Sequence, residues 1–162
     1  MRLIFTVLAV LLANIAYAGD IDAKVEAALA AEGRPETDIA RDRNRMPPQT
    51  LKFFGLQDDM RVLELLPGGG WYTRVLAPVL ADNGELYVAL GTRRVQENIL
   101  PLPGFDKVKV LDTSDNTRRP EGSRHYVMDE FEFGIEDLDI CLLYTSDAAD
   151  DQGLVLLSGG GG

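Results

Sequence analysis

The sequence predicts an α/β domain built on a mostly parallel sheet. Three features carry that expectation. Met60 to Leu66 (MRVLELL) is a compact apolar run of strand length, preceded by Asp58 and Asp59 and followed by Pro67, the pattern of a strand covered on both faces. A helical stripe comes next, with Val75, Leu76, Val79 and Leu80 in register and Asn83-Gly84 as its stop, and Pro78 inside it should kink that helix. Beyond the stripe, Glu85 to Leu90 (ELYVAL) reads as a second strand, Lys107 to Asp112 (KVKVLD) as a third, and the segment from Asp137 (DLDICLL) as the start of a fourth.

Upstream, Ile21, Val25, Ala28 and Leu29 recur at helical spacing, and Gly33 with Pro35 ends the run, so one short amphipathic helix is expected over 21–32. In QTLKFFGL a second short helix would bury Leu51, Phe54 and Leu56, closed by Gly55. Between the two, Arg41, Arg43 and Arg45 alternate with polar residues in ARDRNRMPP, and read as a solvated loop or helix end.

The totals fit one soluble globular domain: 162 residues, 46% hydrophobic and 26% charged. A net charge of −10, from 26 acids against 16 bases, argues against a nucleic-acid partner, because neutralising phosphates needs clustered Lys and Arg. Cys141 is the single cysteine, so no disulfide is expected, and no metal site suggests itself. The first eighteen residues have a different character. Arg2 precedes a continuous apolar run that closes on Ala16-Tyr17-Ala18, a small-x-small cleavage pattern, so residues 1–18 read as a signal peptide and the mature chain as starting at Gly19. Export to the periplasm or beyond follows, with no stable membrane span after cleavage. The expected organisation is thus a signal peptide over 1–18, a helical segment over 19–59 and a sheet domain over 60–140.

Chemistry concentrates at Pro67-Gly68-Gly69-Gly70, the turn between the first strand and the helix after it. Glycine there admits left-handed backbone and close approach of a flat ligand, and Glu64 at the strand end would face the same crevice. A phosphate loop of the Gly-Lys-Ser/Thr kind is excluded, since Trp71 and Tyr72 follow Gly70. The dinucleotide pattern G-x-G-x-x-G fits Gly68 and Gly70 but requires glycine where Thr73 stands. The nucleoside turn acid-x-G-x-G-x-G fits Glu64, Gly68 and Gly70 and departs at Leu66.

The span RDRNRMPPQTLKFFGLQDDMRVLELLPGGGWYT, Arg41 to Thr73, resembles the signature of a family of exported, predicted methyltransferases of the class I, Rossmann-like type, and the likeness extends more loosely through Leu90. The resemblance implies a Rossmann-like fold and binding of S-adenosylmethionine, a small-molecule methyl donor, by Glu64, Gly68, Gly69 and Gly70. It leaves the acceptor and the catalytic residues unnamed. Such enzymes usually keep an acid at the end of the second strand to hold the ribose, where this chain has Leu90, Gly91 and Thr92. Asp112 is then the candidate for the adenine side of the crevice, with Asp129 a second acid in the same region. Trp71 and Tyr72 are candidates to wall the donor methyl, although core packing is the simpler expectation, and His125 is the single histidine available as a base. A nucleoside-binding or interaction domain without catalysis is the alternative, and a nicotinamide-dependent oxidoreductase a third.

Finally, Cys141 to Asp151 (CLLYTSDAADD) resembles the reading-frame translation of a transposase adapter used in preparing sequencing libraries. On that reading residues 141–162 are a non-native tail, the domain is C-terminally truncated near Ile140, and the chain as written should lack turnover.

Overall fold

A computed structural model describes residues 21–113, 117–118, 120–122, 127–128, 132–143 and 155–157. The expected signal peptide, His125 and Asp129 lie outside them. Among the described residues no helix is long and apolar enough to cross a membrane.

The described residues open with helix α1, through residues 21–29, followed by α2 (Glu36–Arg45) and α3 (Pro47–Phe53). Strand β1 (Arg61–Leu65) then leads through the glycine turn into α4 (Trp71–Leu80), β2 (Glu85–Ala89), α5 (Arg93–Asn98) and β3 (Lys109–Val110). A two-stranded antiparallel ribbon, β4 (Thr117–Arg118) with β5 (Val127–Met128), precedes β6 (Ile140–Leu143) and β7 (Val155–Leu157). The main sheet has the order β3-β2-β1-β6-β7. Its first four strands are parallel, with Arg61 opposite Glu85 and Val62 opposite Ile140, and β7 runs antiparallel to β6. From β1 the chain adds β2 and β3 to one side and later returns to place β6 on the other.

Alternation along β1 divides its side chains between two layers. Val62 joins Leu86, Ile140 and Leu142 in a cluster with Val75, Leu76, Val79 and Leu80 of α4, Val25 and Ala28 of α1, and Leu51 of α3. Leu63 and Leu65 turn to the opposite face, where Ala89 and Leu90 pack with Phe133, Ile135 and Leu138. Val95 of α5 and Ile99, just past its end, close over Val88. Pro78 leaves α4 a single element of ten residues. It sits on the exposed side of the helix, where water can replace the lost main-chain bond.

Of the two alternatives for Arg41, Arg43 and Arg45, the helix end is the one observed: all three lie on α2, with Arg43 and Arg45 in its last turn. That helix buries no residue and so lacks an apolar stripe, but it places Glu36 and Asp38 in its first turn and Arg43 and Arg45 in its last, in the sense that opposes the helix dipole. Cys141, Leu142 and Leu143 complete β6, within the segment from Asp137 expected to begin a fourth strand, and pair with Leu63, Glu64 and Leu65.

Asp58 fastens the helical segment to the sheet. It accepts from Lys24 Nζ at 2.7 Å and Asn83 Nδ2 at 2.9 Å, joining α1, the entry to β1 and the turn after α4. The Lys24 bond, then the Asn83 bond, hold its carboxyl below the usual range.

Candidate functional site

β1 delivers the chain to the carboxyl edge of the sheet at the point where strand order reverses, the place where open parallel sheets take ligands. Leu66 to Gly70 make the turn. Leu66 N–H donates to Ala89 O at 3.0 Å, stapling the turn to the end of β2, and Gly70 N–H donates to Pro67 O at 2.8 Å.

The three glycines have different reasons to be glycine. Gly68 (φ 57°) and Gly70 (φ 78°) are left-handed. Gly70 is also walled in: a Cβ there would overlap Ile99 Cδ1 and stand 3.2 Å from Val95 Cγ2 and 3.3 Å from Thr73 Oγ1. Gly69 has neither constraint. Its φ lies outside the left-handed region, it is exposed, and a Cβ on it would meet nothing within 4 Å.

Leu66 adds a fourth special position. It holds φ 52° with 41% of its surface exposed, a left-handed conformation that costs a non-glycine residue about 1–2 kcal/mol. This is the residue at which the acid-x-G-x-G-x-G pattern asks for glycine. The end of β2 behaves alike, with Leu90 at φ 63° and Gly91 at φ 67°. The two turns touch, since a Cβ on Gly91 would lie 3.8 Å from Leu66 Cδ2.

Glu64 does not face an open crevice. By the alternation of β1 its side chain points toward α4 and is 0% exposed. Oε2 accepts from Thr73 Oγ1 at 2.6 Å, the main-chain N–H of Thr73 faces the same carboxylate, and Oε1 has no hydrogen-bond partner among the described residues. Burial pushes its pKa up to about 7, against the opposing pull of the Thr73 bonds and the nearby Arg45 guanidinium. The carboxyl therefore organises the first turn of α4 from beneath. Thr73, which breaks the dinucleotide pattern, is its donor.

The outer side of that first turn is held by α2. Trp71 is buried, its indole N–H donates to Asp38 O at 2.9 Å, and the guanidinium groups of Arg45 and Arg34 lie 4.6 Å and 5.8 Å from its ring centroid. Arg34 is fixed in turn by a two-pronged bond to Asp42, at 2.7 and 2.8 Å. Tyr72 is also buried, edge-on to Trp71. Both aromatic rings thus serve packing. Asp112 is exposed, just beyond β3, on the same sheet edge as the glycine turn and two strands over.

Asp38, Thr73 and Arg74 were not singled out from sequence, and Arg45 was read only as solvated. A helix that docks through hydrogen bonds and stacking leaves no periodic signal. Compared with protein-family models, curated proteins and solved structures, the chain finds no match. Fold and turn together define an α/β domain with a parallel sheet and a glycine-rich bend at its reversal point.

Proposed function

We propose that this is the donor-binding domain of a class I, Rossmann-like methyltransferase, in which the turn from Leu66 to Gly70 receives the nucleoside of S-adenosylmethionine. Gly69 carries the reading. Nothing among the described residues requires glycine there, which leaves room for a bound body beside the point where ligands collect in such sheets. The left-handed Leu66 supports it, because the backbone keeps the shape of the nucleoside turn even where the residue departs from the pattern. Glu64 and Thr73 shape the turn from beneath, and Asp112 lies toward the adenine side. S-adenosylmethionine supplies an activated methyl group for in-line displacement, which leaves the protein chiefly to position the reactants and exclude water.

A second reading, a nucleoside-binding domain without catalysis, is favoured by one observation. The end of β2 offers Leu90, Gly91 and Thr92 where methyltransferases keep a ribose-binding acid. Calorimetric titration of the full chain with S-adenosylmethionine, S-adenosylhomocysteine and NAD, on wild type and Gly69→Ala, tests the donor site that both readings need. Wild type should bind the two adenosyl ligands, and Gly69→Ala should melt at the wild-type temperature yet bind about tenfold or more weakly. No heat at millimolar S-adenosylmethionine from a folded chain removes the donor reading, binding of NAD alone replaces it with an oxidoreductase, and unchanged affinity in Gly69→Ala puts the ligand elsewhere.

A further inference from the structure

We infer that α2 is part of the ligand site, and that Asp38 and Arg74 are positioning residues that hold the main chain of the glycine turn in its receptive shape. The functional half of this inference rests on the reading just given; the structural half does not.

Arg74 Nη1 donates to Gly69 O at 2.9 Å and approaches Gly70 O at 3.5 Å. The same guanidinium nitrogen lies 3.5 Å from Asp38 Oδ2 on α2, and both side chains are only 13% exposed. Three residues earlier on α4, Trp71 is tied to the main-chain oxygen of the same Asp38. Residues three apart on a helix share a face, so a single residue of α2 meets α4 at two points, by a hydrogen bond at Trp71 and by charge alone at Arg74, since Asp38 Oδ2 has no hydrogen-bond partner among the described residues.

The grip falls where the turn is weakest. Thr73 directs its hydroxyl and its N–H toward Glu64, so the Gly69 carbonyl gains its bond from Arg74. No packing adds to that bond, since a Cβ on Gly69 would meet nothing among the described residues within 4 Å. Three glycines have more conformational freedom to lose on ordering than any other tripeptide. A ligand that binds through their main chain must order them unless the protein has already done so, and Arg74, braced by Asp38, is the group placed to do it. Sterics at Gly70 fix the inner end of the turn, whereas the Asp38–Arg74 pair fixes the outer end.

The test uses the full chain as wild type, Arg74→Ala, Arg74→Lys and Asp38→Asn. The last removes the ion pair while keeping the main-chain oxygen that holds Trp71. Amide hydrogen exchange over 66–71 should quicken about tenfold in Arg74→Ala and Asp38→Asn, the loss of ordering at roughly one residue, while β1 and β2 exchange as in wild type. Arg74→Lys should recover part of the protection. Emission from Trp71, the single tryptophan, should stay at its wild-type maximum in Asp38→Asn. Affinity for S-adenosylhomocysteine should fall by a similar factor in Arg74→Ala and Asp38→Asn. Wild-type exchange across 66–71 in either of those variants overturns the inference, as does quickening spread evenly over the sheet. If wild type binds no adenosyl ligand, the proposed function fails and the exchange comparison still decides the role of the pair.

Discussion

Replacing Glu64 by Gln isolates the electrostatic cost of the buried carboxyl. Burial raises the pKa of Glu64 from 4.5 to about 7, so the folded chain binds a proton that the unfolded chain releases between those values. By linkage, stability is highest at and below pH 4.5, falls as pH rises toward 7, and stays low above it. The full excursion is about 3 kcal/mol, from 1.36 kcal/mol per pH unit of displacement. Glutamine keeps the shape and an acceptor for the Thr73 hydroxyl but carries no charge. Glu64→Gln should therefore gain about 3 kcal/mol over wild type at pH 8 and less than about 1 kcal/mol at pH 5. Any cost of placing the amide N–H groups adds a constant offset, so the pH-dependent part of the difference is the quantity to read. Urea unfolding of both proteins at pH 5, 6, 7 and 8 measures it. A difference that stays level across that range would refute the placement of an ionisable carboxyl, sealed from water, beneath α4.

Two further substitutions probe the frame around the turn. Gly70→Ala should destabilise by about 3 kcal/mol, combining a left-handed alanine with the overlap against Ile99, and equilibrium unfolding set beside Gly69→Ala at near-wild-type stability would check the contrast. Asp58→Asn should cost about 1–2 kcal/mol at pH 7 by weakening the bonds from Lys24 and Asn83. Because the Asp58 carboxyl is held below its usual range, its contribution is present above pH 4 and lost as pH falls further, so the cost should shrink in the same unfolding series taken to low pH.

The central strands and α4 were legible because burial writes itself into their sequence. Met60 to Leu66 and Glu85 to Leu90 each overran the observed strand by a residue or two, and the stripe from Val75 to Leu80 gave the helix despite Pro78. The third strand shrank to Lys109–Val110, the two residues that pair with Tyr87 and Val88 of β2. α2 was illegible for the opposite reason. Nothing on it is buried, and its contribution runs through Asp38 and Arg45, whose partners come from α4 and are far away in sequence. At the site the glycines stood out, but their division of labour did not. Only three dimensions show that Gly70 answers to Ile99 while Gly69 answers to none of the described residues, and that the strand pleat turns Glu64 inward.

The pairing of β1 with β6 bears on how the molecule assembles. Arg61 N–H donates to Asp139 Oδ2 across 78 residues, whereas β1, the glycine turn, α4 and β2 form one uninterrupted stretch. Contacts so distant along the chain pay a large loop-closure entropy before they return anything, and they slow folding. The bend that would hold a ligand is therefore built from neighbouring residues and can form early on a growing chain, ahead of the strand that completes the middle of the sheet.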